Sequence, residues 1–356
     1  MPSSVSGDRG RIPVIDISGS APEAQVAKDL VEAAATYGFV YVKNEGKDIP
    51  VDAINNAFKL SKSFFSSPVE EKESCKISEN NRGWSGMHGE TLDSKQRVGD
   101  FKEIINFGEF SNGKAQQPLP PTLKDHEGEL NAFQDYCHNL CLKILTLFAI
   151  GLDVDPAQGG RTWFSSRHSR ALGPSGCTLR FLYYPSIQSS NDFNPEVDVR
   201  AGAHSDYGSI TLLFQNPGQP GLELLPPNTT SATSQDWSPV SVTPSGTEND
   251  PLPPILVNIG DLFSSWTNNL LKSTVHRVVF PKEAKIGGED RYSIAFFCHP
   301  VNNTVLDPVP SERVKTLSGK GGKNVEGMTA EEHLLSRLKA TYLDLYTDQE
   351  DEKATA

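Results

Sequence analysis

The chain has few cysteines, no long apolar run and no basic block, and each absence removes a class of protein. Cys75, Cys137, Cys141, Cys177 and Cys298 are its five cysteines in 356 residues. The number is odd and no Cys-x-x-Cys pair occurs, which argues against a disulfide framework or a zinc-ribbon spacing. Cys137 and Cys141 stand one helical turn apart and are expected to pack in the core, with all the thiols reduced. No apolar stretch approaches the ~18 residues that a membrane-spanning helix needs. The opening MPSSVSGDRGR lacks the apolar segment of a secretory signal, so a cytoplasmic location is expected and the sequons at Asn228 and Asn302 are expected to go unused. A formal net charge of −12, with no basic patch or tail, argues against nucleic acid or an anionic membrane as partner.

What remains is an ordinary globular composition, long enough for one large core or two small ones. RIPVIDIS (11–18) and GFVYVKN (38–44) read as strands, and amphipathic spacing predicts helices over 22–37 and 51–66. Residues 81–108 read as loops with short strands, and 129–152 as a long buried helix. After Cys177 the texture changes. TLRFLYY, SITLLF, GLELL, PILVNI, STVHRVVF and RYSIAFFC are short β-rich runs at a density that suggests a sandwich or barrel. Two Pro/Ser/Thr-rich inserts, 226–235 and 244–254, are expected to be exposed loops. A helical pattern returns over 329–346, where Thr329 and Glu332 have capping-box spacing, before an acidic tail.

The chemistry concentrates in the β-rich part. In AGAHSDYGSITLLFQ (201–215), His204 and Asp206 lie two apart, which on a strand means one face. That point could hold a metal, a proton or only a hydrogen bond. His276, in the β-branched run STVHRVVF, offers a third ligand. Two histidines and one carboxylate make the facial set expected of non-haem Fe(II), whereas a catalytic zinc more often has three ligands and one water. Downstream, Arg291 and Ser293 share a face of RYSIAFFC. An arginine in an apolar strand calls for an anion, either a ligand carboxylate or an internal Asp or Glu.

The order H-x-D, His, R-x-S, together with IPVIDIS, NRGWSGMHGETLD, GDFKEIINFG, LRFLYYP and NIGDLFSSWTNNLLKSTVHRV, resembles the 2-oxoglutarate and Fe(II)-dependent dioxygenases. Within them the chain resembles the isopenicillin N synthase-like branch, and the resemblance runs over nearly its whole length. It implies an α+β fold with a double-stranded β-helix (jelly roll) as its core. The segments would be an N-terminal helix-and-strand region over 11–125, a connecting long helix over 126–174, the core over 175–305 and a C-terminal loop and helix over 306–356. It further implies that His204, Asp206 and His276 bind Fe(II), that Arg291 and Ser293 bind the far carboxylate of 2-oxoglutarate, and that Tyr184 contacts this cosubstrate. Leu182 departs from the Asn that family members often have there. Arg180, Leu182, Phe297 and His299 are expected near the substrate, and Arg180 suggests a polar or anionic group on it. NIGD, WTNN, Lys102 and Glu103 read as scaffold.

The implied reaction uses O2 to oxidise a C–H bond of a small metabolite, including those of secondary metabolism, by hydroxylation, desaturation, cyclisation or ring rearrangement. 2-Oxoglutarate would leave as succinate and CO2. Three alternatives stand beside it: a 2-oxoglutarate-independent Fe(II) oxidase of the isopenicillin N synthase type, an inactive binding module of the same fold, and a zinc hydrolase. The sequence indicates neither the substrate nor the oligomeric state.

Overall fold

The computed structural model describes residues 11–341, apart from 94, 95, 97, 188–193, 195–196, 228, 230–235, 282–287 and 318–324. The acidic tail and most of the first insert therefore lie outside the described residues.

The front of the chain alternates as its spacing predicts. β1 (Val14–Ile15) pairs in parallel with β2 (Phe39–Val42) across the helix Glu23–Thr36. That helix buries Val26, Ala27, Leu30, Val31, Ala33 and Ala34 on one side, a 3.6-residue pattern that seats it on the long helix Glu127–Gly151. The helix Val51–Phe65 follows, and then the short strands β3 (Gly83–Ser85) and β4 (Glu103–Phe107). The remaining strands are β5 (Thr178–Tyr184), β6 (Ala201–His204), β7 (Ile210–Gln215), β8 (Leu222–Leu224), β9 (Ser238–Pro239), β10 (Ile255–Ile259), β11 (His276–Val278) and β12 (Arg291–Cys298). The last described helix is Ala330–Thr341. There Thr329 Oγ1 accepts from the Glu332 N–H, and Glu332 accepts from the Thr329 N–H, as the capping box requires.

The strands form two sheets. The larger has eight strands in the order β1-β2-β10-β7-β12-β5-β4-β3, and the smaller has four in the order β6-β11-β8-β9. Together they make the double-stranded β-helix. Alternation along the large sheet divides the chemistry. Tyr292, Ile294, Phe296 and Cys298 of β12, with Leu179 and Phe181 of β5, face the helices and form the main core with Phe148, Phe164 and Leu145. Arg291, Ser293, Ala295 and Phe297 occupy the other face, opposite Tyr184, Leu182, Arg180 and Thr178 of β5. That face looks toward the small sheet, where Leu222, Leu224, Val278 and Ala201 complete a second core. The site lies between the sheets.

All five cysteines are buried free thiols. WTNN turns with Asn268 and Asn269 both at positive φ, a region asparagine tolerates. The second insert is exposed in part only: Pro244, Thr247 and Pro254 are buried, with the Thr247 hydroxyl donating to the Pro244 carbonyl.

Candidate metal and cosubstrate site

β6 and β11 pair antiparallel with His204 directly opposite His276. The register slips beside this pair, because three steps from Ala201 to His204 oppose two from Val278 to His276. Such a bulge re-aims a side chain at a sheet rim. β6 ends at His204, so Asp206 does not share a strand face with it, contrary to the two-apart expectation. It sits in the turn beyond, where the Asp261 N–H donates to the Asp206 carbonyl at 2.7 Å. The turn packs so closely that a Cβ on Gly260 would fall 2.2 Å from the Gly208 carbonyl oxygen.

Three donor atoms converge all the same. The His204 and His276 Nε2 atoms each lie 3.8 Å from Asp206 Oδ1, too far for a hydrogen bond. The three ligand atoms are within 4.8 Å of one another. Each imidazole is oriented from behind: His204 Nδ1 faces the Gly202 carbonyl at 2.7 Å and His276 Nδ1 the Thr274 carbonyl at 3.1 Å. A nitrogen facing a carbonyl must carry the proton, which leaves the Nε2 lone pair for the centre. Asp206 Oδ2 accepts from Thr211 Oγ1 at 2.6 Å and Asn258 Nδ2 at 2.7 Å, so Oδ1 is the oxygen left over.

The electrostatics favour the ligand forms. Burial, then the neighbouring His276, pushes His204 down to about 3, so its ring is neutral at physiological pH. Burial works against the Asp206 charge. The two imidazoles and the bonds from Asn258 and Thr211 outweigh it and hold the carboxyl below its ordinary value. Two imidazole nitrogens and one carboxylate oxygen suit a divalent first-row ion such as Fe(II).

Across the cavity, Arg291 and Ser293 are 2% and 1% exposed. The Arg291 guanidinium donates to the Ser293 hydroxyl, to Gln215 Oε1 and to the Gln219 carbonyl, and it lies 4.9 Å from the Tyr184 ring. All of these partners are neutral, and among the described residues no carboxylate pairs with it. A guanidinium desolvated this far is short of an anion. Burial lowers its pKa from the ordinary value.

A cavity of ≈ 130 Å³ joins both ends and is lined by all the residues expected at the site: His204, Asp206, His276, Arg291, Ser293, Tyr184, Arg180, Leu182, Phe297 and His299. The Arg180 guanidinium does not wait for an anionic substrate. Glu90 meets it at 3.2 Å, Asn106 accepts from its Nε, and it sits 5.3 Å from the Phe297 ring. Lys102 is also in the wall, paired with Glu90 at 2.8 Å and Asp100 at 2.6 Å. Burial alone would lower the Lys102 pKa, but the two carboxylates hold it above its ordinary value. His299 is buried, its Nδ1 has no hydrogen-bond partner among the described residues, and burial holds it near about 3.

Several lining residues carried no signal readable as a site. Asn258 sits in NIGD, whose spacing suggests only a turn, and Lys102 in GDFKEI looks like scaffold. Leu334 and Leu338 come from the distant C-terminal helix. Glu103 does behave as scaffold, bonded to Lys72 and the Trp84 indole.

Known proteins resemble this chain in sequence and in fold. Residues 12–126 match the model of the N-terminal region of the non-haem dioxygenases of morphine synthesis, and residues 175–300 that of the 2OG-Fe(II) oxygenase superfamily. The UPF0676 protein C1494.01 of Schizosaccharomyces pombe is 39% identical, over 93% of this chain and 92% of that one. The 2-oxoglutarate-dependent dioxygenase htyE of Aspergillus rugulosus is 29% identical, over 82% and 87%. A full-length Neurospora crassa protein, crystallised in complex with alpha-KG and 5-formyluracil, superposes with a TM-score of 0.72, at 31% identity, over 95% of this chain and 98% of that one. Among the described residues no helix is long and apolar enough to cross a membrane. The chain belongs to the 2-oxoglutarate- and Fe(II)-dependent oxygenases, in their isopenicillin N synthase-like branch.

Proposed function

We propose that His204, Asp206 and His276 hold Fe(II), that Arg291, Ser293 and Tyr184 hold 2-oxoglutarate, and that the substrate is a small, flat, uncharged molecule. The observation that carries this reading is a buried guanidinium with only neutral partners, opening on the same cavity as three converging metal-ligand atoms. When bound, Fe(II) with 2-oxoglutarate and O2 supplies the oxidising equivalents for one C–H bond, and 2-oxoglutarate ends as succinate and CO2.

The protein's part is placement. The Gly202 and Thr274 carbonyls fix the two imidazoles by their Nδ1 protons, and Asn258 and Thr211 fix the carboxylate. Arg291 offers a fork to a carboxylate, and its burial strengthens that bond. Leu182, Ala295, Leu222 and Val278 line the space between with apolar surface that excludes water. At the substrate end, Arg180 and Lys102 spend their charge on Glu90 and Asp100. A charged substrate group would gain no free counter-ion there. The Phe297 ring and the Asn81 amide in the same wall suit a planar ring with hydrogen-bonding edges. That the Neurospora crassa protein has been crystallised with thymine and with 5-formyluracil supports this class.

The test is anaerobic titration of Fe(II) and then 2-oxoglutarate, watching the visible charge-transfer band of a chelated 2-oxo acid. The wild type should show the band and His276→Ala should not. Arg291→Ala should need about 100-fold more 2-oxoglutarate, the scale of removing one partner of a buried charged pair. Succinate release should then rise above background with thymine and not with charged amino acids. Tight iron binding without the band would overturn the cosubstrate assignment, and stimulation by charged amino acids alone would overturn the substrate class.

A further inference from the structure

Asp261, the first residue of the helix Asp261–Trp266, touches three parts of the site. Its N–H donates to the Asp206 carbonyl at 2.7 Å, and its Oδ2 accepts from the Ser205 hydroxyl at 3.1 Å, so both of its ends grip the turn between two proposed ligands. Its Oδ1 accepts from Ser273 Oγ at 2.6 Å, on the segment that leads to His276. Its Oδ2 also pairs with Arg337 Nη2 at 2.6 Å, on the C-terminal helix. Leu334 and Leu338 of that helix line the cavity, and the Arg337 guanidinium lies 5.2 Å from the ring of Tyr207, another wall residue.

One carboxylate thus joins the ligand turn, the approach to His276 and the helix that walls the substrate space. The pair with Arg337 is partly exposed, and an isolated pair of that kind contributes little to stability. Its value is geometric. Any shift of the turn moves the carboxylate on which the helix is seated.

We infer that Asp261 is a positioning residue that couples the metal site to the substrate wall, so that a metal ion on the triad steadies the C-terminal helix. This rests on the assignment of the triad as the metal site. Coupling between sites is reciprocal, so a steadied helix also favours the bound metal.

The test uses Mn(II) alone, with neither 2-oxoglutarate nor substrate, and reads amide hydrogen exchange over 330–341 by mass spectrometry. Mn(II) should slow exchange there about fivefold in the wild type, the lower end of typical coupling between sites. Arg337→Ala should bind Mn(II) up to about fivefold more weakly than the wild type and, at saturating Mn(II), lose the slowing, and Arg337→Lys should recover part of both. Circular dichroism of each variant without metal confirms that it is folded, and Arg337→Gln replaces any that is not. Slowing of equal size in the wild type and Arg337→Ala would overturn the coupling, as would Mn(II) binding to the wild type with no change in exchange. Failure of the wild type to bind Mn(II) would instead overturn the metal site, and this inference with it.

Discussion

At the scale of single residues, the site depends on atoms that never touch the ligand. Asn258 and Thr211 occupy one oxygen of Asp206 and thereby choose which oxygen faces the centre. Asn258→Leu should keep the fold and weaken Fe(II) binding by about 10–100-fold, the usual cost of removing a partner behind a metal ligand. A metal titration of the folded variant measures this, and unchanged affinity would show that Thr211 alone suffices to orient Asp206. Residues with a distinctive chemical demand were legible in the sequence. A buried arginine needs an anion, and His-x-Asp beside a later histidine suggests a metal. Asn258 and Lys102 were not legible, because an amide within a strand and a lysine just before one look alike whether they face solvent or a cavity.

At the scale of elements, the amphipathic helices and β-rich runs were readable from period alone, since burial on one face leaves a repeat in the sequence. Boundaries and close approaches were not. The β6 bulge adds one residue against β11, and no pattern of residue types announces it. Asp206 reaches the centre through that bulge and the turn after it, not through strand alternation. The turn in its place depends on Gly260, where a Cβ would meet the Gly208 backbone at 2.2 Å. The φ of Gly260 is −92°, so the demand is for space and not for a left-handed backbone. Gly260→Ala should cost about 2 kcal/mol of stability by overpacking and also weaken metal binding, since Asp261 moves with it. Denaturant unfolding and a metal titration give both numbers, and loss of stability with full metal affinity would separate the turn from the site.

At the scale of the whole molecule, buried histidines set the response to acid. His168 is held near about 4 and His299 near about 3, each chiefly by burial, against an ordinary value of 6.5. Burial also lowers His138. Below pH 6.5 the unfolded chain binds protons that these rings refuse in the fold. Stability is therefore full above pH 6.5 and falls as pH drops from there toward 4 and 3. The urea midpoint of the metal-free protein should decline from about pH 7 to about pH 5, and by less in His168→Gln. A midpoint that is flat over that range would mean that the rings find protons without unfolding.

The proposed metal ligands belong to the small sheet and the turn that leaves it, and Arg291 and Ser293 to the large one. A cosubstrate chelated at one end and salt-bridged at the other would fasten the two sheets together like a rivet through two plates. Binding of this kind adds to folding free energy with the logarithm of ligand concentration. The persistence of the folded protein would then follow the supply of 2-oxoglutarate, even where no substrate is being turned over.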